Sequence, residues 1–327
     1  MKTIADIEIR SERDDDFDSV AAMHNAIYPD WPVTADEMRE HAGEVDPLRY
    51  VRVRLVAADR TSGRVVAAAA YHQVPWSFHP DRYLIRMMVH PDWQGRGIGG
   101  RLMDGMLGQL TARGAKWVQA RAREDFARGL AFVERYGFTE HARTFESRLD
   151  VSQVDLSRFA GYATRAAELG ITFTTLADEL KHHPECLNAV YQMHCTLDIG
   201  APRDDPELAT PPTFEEFLKH AVRSPRALPD GYFLAKFREM YVGETVLKKS
   251  DADPTFLYQE LTGVLSDLRG LGIATALKIQ GIEYARRYGY RQMQTFNSSK
   301  NEPMLAINTK LGFVRQPAWV EFQKTLP

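Results

Sequence analysis

Two short stretches of this chain combine glycines with a helix start in a way that suits an anionic ligand. Gln94-Gly95-Arg96-Gly97-Ile98-Gly99-Gly100 and Arg269-Gly270-Leu271-Gly272-Ile273-Ala274-Thr275 each follow an apolar run and open an amphipathic one. Small residues let backbone approach a ligand closely. The exposed N–H groups of a helix N-terminus, aligned with the helix dipole, favour phosphate groups. A pyrophosphate is the natural guest. The plain alternative is a tight strand-to-helix turn, which two copies in one context argue against.

Neither loop is a P-loop, because Gly-Lys-Ser/Thr is missing from both helix starts. A dinucleotide fingerprint is met formally by Gly95, Gly97 and Gly100. Lys116, Trp117 and Gln119 nevertheless occupy the region where its acid belongs, and Thr275 replaces the third glycine in the second copy.

The elements that must position these loops are repeated with them. Val89–Met103 aligns without a gap with Val264–Lys278, and one constant offset relates Gly97 to Gly272, Gly114 to Gly289 and Gly137 to Gly312. So long a period lies outside the range of solenoid repeats and implies a duplicated domain. In the first copy, Ile7–Arg10, Arg52–Ala58, Arg64–Tyr71, Tyr83–Val89 and Trp117–Arg121 read as strands. Ile98, Leu102, Met106 and Leu110 mark one face of a helix closed by Gly114, and Phe126–Tyr136 reads as a second helix. In the second copy, Tyr232–Phe237, Met240–Leu247, Leu257–Val264, Ile273–Tyr288, Gln292–Phe296 and Met304–Leu311 repeat the order. Each half is therefore expected to be α/β, with domains at residues 1–150 and 171–327 and a weakly helical linker at 151–170. The proline-rich stretch Ile199–Asp230 reads as loop with a short helix at Phe214–Val222, and is a candidate cover for a substrate site.

A length of 327 residues suits two domains, and 44% hydrophobic with 26% charged residues is a soluble, globular balance. No apolar run approaches the roughly 20 residues of a membrane span. The acid-rich N-terminus lacks a signal-like apolar core, so the cytoplasm is expected. A net charge of −3 with dispersed basic residues gives no nucleic-acid footprint. Cys186 and Cys195 are too few for a disulfide framework, and with His182, His183 and His194 they match no standard zinc spacing, so no metal is expected.

The pattern shared by the loops, Gln or Arg, two residues, Gly, one residue, Gly or Ala, resembles motif A of the GNAT superfamily of acetyl-CoA-dependent N-acetyltransferases. The likeness covers the C-terminal half of each copy, through the second helix ending in Gly137-Phe138 or Gly312-Phe313; the N-terminal parts agree only in the order of elements. It implies two tandem GNAT domains, each an α+β mixed sheet flanked by helices, with acetyl-CoA as cofactor. By resemblance, the amides of Gln94–Gly100 and Arg269–Thr275 hold the pyrophosphate. Met87, Met88 and Val89, and Leu261, Thr262 and Val264, then accept the pantetheine as a short extra strand. Asn301 reads as a helix cap, and by resemblance both Asn301 and Asn308 contact CoA. The implied reaction is direct attack of an amine on the thioester, helped by a general base and a group that protonates the departing thiolate.

The copies also depart from the family. Where many members carry a tyrosine acid, four residues before the glycine of the Gly-Phe pair, this chain has Val133 and Asn308. Glu260 is the best candidate base, since it lies on the strand leading to the second loop and alternation puts it on a face with Thr262 and Val264. The plain alternative is an acid satisfied by a neighbouring arginine or by solvent. Its match in the first copy is Ile85, flanked by Arg86. The tandem arrangement is similar to that of mycothiol synthase and related double-GNAT proteins, which implies catalysis in the C-terminal half; the N-terminal half keeps an intact loop and is expected still to bind acetyl-CoA. The expected acceptor is a primary amine of a small molecule or peptide, and the expected state a monomer or homodimer. A non-catalytic acetyl-CoA-binding or regulatory protein is the competing class.

Overall fold

The computed structural model describes residues 6–44 and 46–327. The first five residues of the acid-rich N-terminal segment lie outside them. The chain forms two compact units: residues up to Ala142 together with Trp319–Pro327, and Arg143–Ala318.

In the first unit the order is β1 (Ile7–Ser11), α1 (Phe17–Ile27), α2 (Ala35–Glu44), β2 (Arg52–Asp59), β3 (Val65–His72), β4 (Arg82–Val89), α3 (Ile98–Ala112), β5 (Trp117–Arg123) and α4 (Ala127–Arg135). Strands β1 to β4 pair antiparallel in sequence order, and β4 pairs parallel with β5. Strand alternation sets the two faces. Ala69, Tyr71 and Ile85 join Ile98, Leu102, Met106 and Leu110 of α3 in one core cluster. Val56 and Ala68 face the other way, against Val20 and Met23 of α1. Each buried Val, Leu, Ile or Met among them contributes roughly 1.5–3 kcal/mol over leaving it exposed. Gly114, at φ 77°, ends the α3 segment in the left-handed conformation that a glycine adopts freely.

Next come β6 (Thr139–Asp150), α5 (Ala160–Glu168), β7 (Ile171–Thr175), α6 (Leu176–His182), α7 (Leu187–Ile199), α8 (Phe214–Leu218), β8 (Ala227–Phe237), β9 (Met240–Lys249), β10 (Phe256–Val264), α9 (Ile273–Arg287), β11 (Gln292–Ser298), α10 (Glu302–Leu311), β12 (Val314–Arg315) and β13 (Trp319–Thr325). In the second unit β7 to β10 pair antiparallel in order, β10 pairs parallel with β11, and β11 pairs with the Thr144–Asp150 part of β6. Each unit is a mixed α/β fold, a mixed sheet flanked by helices.

The final strand of each sheet comes from the other copy of the repeat. β6, which follows the first copy's last helix, borders β11 from Thr144 onward; β13, which follows the second copy's, pairs antiparallel with β5. The unit boundaries follow this exchange and not the repeat in the sequence. The segment expected as a linker is structured: Val151, Val154, Phe159 and Ala166 are buried in the second unit's core. In the proline-rich stretch, α8 continues as a wider turn through Arg223, and Phe217 and Leu218 join the cluster under α7.

Candidate active site

In both units the parallel neighbour leaves the central strand partway along. β4 pairs with β5 from Arg82 to Ile85, and β10 pairs with β11 from Phe256 to Tyr258. Beyond those points Arg86–Val89 and Thr262–Val264 keep their pairing with β3 and β9. One edge of each strand is thus left unpaired by its parallel neighbour, and there an extended chain can add hydrogen bonds as a further strand would.

The two loops sit at the ends of these edges. Gly95, Gly97, Gly270 and Gly272 have φ of 75°, 82°, 77° and 88°, values that oppose any side chain. Gly97 and Gly272 are the N-caps of α3 and α9, and neither supplies a side-chain acceptor. The first helical bonds are donated by Arg101 to Gly97 and by Ala276 to Gly272. The amides of Ile98, Gly99 and Gly100, and of Ile273, Ala274 and Thr275, therefore precede the helical ladder. A Cβ added at Gly95 or Gly270 would meet nothing within 4 Å, so each loop's outer surface is open. At matching positions, Gln94 Nε2 donates to Val89 O at 3.1 Å and Arg269 Nε donates to Val264 O at 3.1 Å, tying each loop back to its strand. These features fit a pyrophosphate followed by an extended arm.

The loops differ in their surroundings. Gly99 and Gly100 pack toward Phe132 and the Tyr136 hydroxyl. Over the second loop lies the ring of Tyr162 on α5, 2.9 Å from where a Gly272 Cβ would be, with its hydroxyl accepting from Lys310 Nζ. Nothing in the repeat pointed to Tyr162. Asn301 caps α10, accepting from Met304 N at 3.4 Å. Asn308 is buried, donates to Asn297 Oδ1 at 2.8 Å, and keeps an Oδ1 without a hydrogen-bond partner.

Glu260 is not on the face that alternation assigns to it. Gln259 pairs with Leu247 and Thr262 with Thr245, so β10 carries one extra residue as a bulge. Before the bulge, Lys248 lies opposite Tyr258, and Glu260 shares that face, its Oε1 3.9 Å from Lys248 Nζ and its side chain 48% exposed. Thr262 lies beyond the bulge on the opposite face, sharing a 2.7 Å hydrogen bond with Thr245. The same shift makes Gln259, not Glu260, the counterpart of Ile85. Gln259 and Ile85 are the residues that pair with Leu247 and Tyr71 at equivalent places in the two sheets.

The Glu260 side of the second sheet gathers groups that the sequence left scattered. Glu244, fully buried on β9, accepts from His194 Nδ1 at 2.7 Å and from the Tyr232 hydroxyl. Burial opposes the charged form of His194, but the Glu244 carboxylate outweighs it and the net pKa is raised. His220 is pushed down to about 4 by burial and then by Lys248, which leaves a neutral imidazole. On the α9 side, a polar chain crosses the core: Lys278 Nζ bonds Gln259 Oε1, and Gln259 Nε2 donates to Thr245 Oγ1 at 3.1 Å.

Sheet, free strand edge and uncapped loop together fit a tandem acyltransferase, and comparison with known proteins agrees. The acetyltransferase (GNAT) family model matches residues 17–138 and 199–313, and the chain belongs to that family. A mycothiol acetyltransferase of Thermobispora bispora is 25% identical over 252 residues, covering 73% of this chain and 75% of the relative. A GCN5-related N-acetyltransferase from Sphaerobacter thermophilus superposes with TM-score 0.72 at 18% identity, over 99% of this chain and 97% of that one. A tandem GNAT protein from the clavulanic acid biosynthesis pathway gives 0.72 at 20% identity, over 98% of each chain. The chain is thus an acetyltransferase with tandem GNAT domains. No helix among the described residues is long and apolar enough to cross a membrane.

Proposed function

We propose that the chain transfers the acetyl group of acetyl-CoA to a primary amine of a small molecule or peptide, with catalysis in the second unit. The observation that supports this reading is the succession of three features along β10 and into α9. They are the free edge of β10, the uncapped amides at α9 and the Glu260 carboxylate in the bulge. Acetyl-CoA, when bound, supplies an acetyl group activated as a thioester. Ile273, Ala274 and Thr275 offer amides to its pyrophosphate, and Leu261–Val264 align its arm. Glu260 accepts the proton of the incoming ammonium, directly or through one water, and Lys248 holds the carboxylate on that face. Glu260, 48% exposed, presents a carboxylate that suits a cationic acceptor. Asn308 and Val133 carry no ionisable proton, so no tyrosine-type acid acts from those positions.

The first unit keeps an intact loop and is proposed to bind acetyl-CoA without an equivalent base. Calorimetric titration of acetyl-CoA into wild type, Gly95→Glu and Gly270→Glu tests both sites, since a carboxylate in either loop should repel the pyrophosphate. Two sites in wild type and one in each variant are expected; no binding to wild type overturns the reading. In a CoA-release screen against amines, Glu260→Gln should lower kcat by about 100-fold or more with acetyl-CoA affinity retained. An unchanged kcat removes Glu260 as the base. Binding without turnover on any amine would favour a regulatory CoA-binding protein.

A further inference from the structure

The face of the first unit's sheet opposite α3 carries a cluster of arginines. Residues paired across neighbouring strands share a face. Pairing sets Arg52, His72 and Leu84 in one row across β2, β3 and β4, and Arg54, Ala70 and Arg86 in the next. Leu84 lies beside Gln119 of β5, and Arg121, two residues on, shares the face and bonds Glu321 of β13 at 2.7 Å. Arg86 and Arg121 thus stand on either side of the point where β4 and β5 part.

Arg86 has no hydrogen-bond or ion-pair partner among the described residues. Its side chain reaches solvent, while the neighbouring protein strips part of the water from its guanidinium. Those surroundings, followed by the like charges of Arg121 and Arg52, push its pKa down to about 10. The nearby carboxylate of Glu321 is already bonded to Arg121. Two buried side chains on this face also hold unused polar atoms. Gln119 and His72 are 5% exposed each, and Gln119 Nε2 and His72 Nδ1 have no hydrogen-bond partner. His72 is held neutral, its pKa pushed down to about 3 by burial and then by Arg86, Arg52 and Arg121, so its ring can present an N–H. The indole Nε1 of Trp319, also on this face, is a further buried donor without a partner. An uncompensated cation beside unsatisfied donors is unfavourable until something that only accepts is placed among them.

We propose that this face binds a small molecule through an oxyanion, a carboxylate or phosphate group, gripped by Arg86 with Gln119 and His72 beneath it. The cluster repels an ammonium group, so the first unit takes a different class of ligand from the amine proposed for the second. The site lies across the sheet from the loop and does not depend on acetyl-CoA being the donor.

The test is calorimetry on the full chain at constant ionic strength, with succinate and citrate as carboxylate probes and inorganic phosphate and glycerol phosphate as phosphate probes. Saturable one-to-one binding of at least one class is expected, and the class that binds identifies the anion. Arg86→Ala should weaken it by about tenfold or more, as loss of a charge-assisted grip implies, with Arg86→Lys in between and Gly95→Glu unchanged. Removing an unneutralised charge should leave the melting temperature of Arg86→Ala at or above wild type, which separates loss of binding from loss of fold. Gln119→Leu should weaken binding without changing net charge, which general electrostatic attraction would not produce. Failure of every probe to saturate at millimolar concentration, or equal affinity in Arg86→Ala, overturns the proposal.

Discussion

Replacing Lys278 by methionine should stabilise the second unit at neutral pH even though it deletes a hydrogen bond. Lys278 is 1% exposed on α9, bonds Gln259 and lies 4.9 Å from the Phe313 ring centroid. Burial pushes its pKa from 10.5 down to about 7. Between those values the unfolded chain holds a proton that the folded chain has released, so stability rises with pH across that window. At about 1.4 kcal/mol per unit, the lysine costs roughly 4 kcal/mol at pH 7 and roughly 2 at pH 9. The variant leaves Gln259 Oε1 without its donor, a loss of about 1–3 kcal/mol. The net gain is then about 1–3 kcal/mol at pH 7 and close to zero at pH 9. Methionine already occupies the matching place in the first unit, as buried Met103. Urea unfolding of both proteins at the two pH values measures the difference, in which other titrating groups cancel. A variant less stable than wild type at pH 7, or a difference that does not shrink toward pH 9, refutes the reasoning.

His194 has a raised folded pKa, so its ion pair with Glu244 stabilises fully below the unfolded value near 6.5 and is lost as pH rises through the folded one. His194→Phe should therefore lose more stability at pH 5.5 than at pH 8.5 by denaturant titration; an equal loss at both would assign His194 a packing role only. Deleting residues 319–327 removes β13 and the buried Val320, Phe322 and Leu326. At roughly 1.5–3 kcal/mol each, that loss should erase hydrogen-exchange protection in β5 while β10 and α9 stay protected. Retained protection in β5 would show that β13 contributes little.

The loops, the strands before them and the helices after them were legible because their physics is local. The buried stripe of α3, from Ile98 to Leu110, and the glycines at positive φ need only near neighbours. The polar lining of the site was not local. Glu244, His194 and Tyr232 come from β9, α7 and β8 and meet only after the sheet has formed. A bulge is invisible in a run of residues, because Gln259 to Thr262 reads as continuous strand until its partner shows one residue fewer. That single residue moved Glu260 off the expected face and changed its counterpart in the first copy. Helices α1 and α2 went unread, since their polar faces dilute the apolar signal: among the described residues, Met38 is the one α2 side chain packed on the cluster around Val20 and Met23.

The exchange of final strands ties the order of synthesis to the order of folding. Arg121 and its partner Glu321 are 200 residues apart. While the chain is being made, β5 must wait as an open edge until nearly all of the second unit has left the ribosome. Such an edge invites pairing with other chains, and contacts of such long range form slowly. The same arrangement limits recombination. A crossover between related chains at the repeat boundary would leave both sheets bordered by a foreign strand, so the heritable module is the whole pair and not the half.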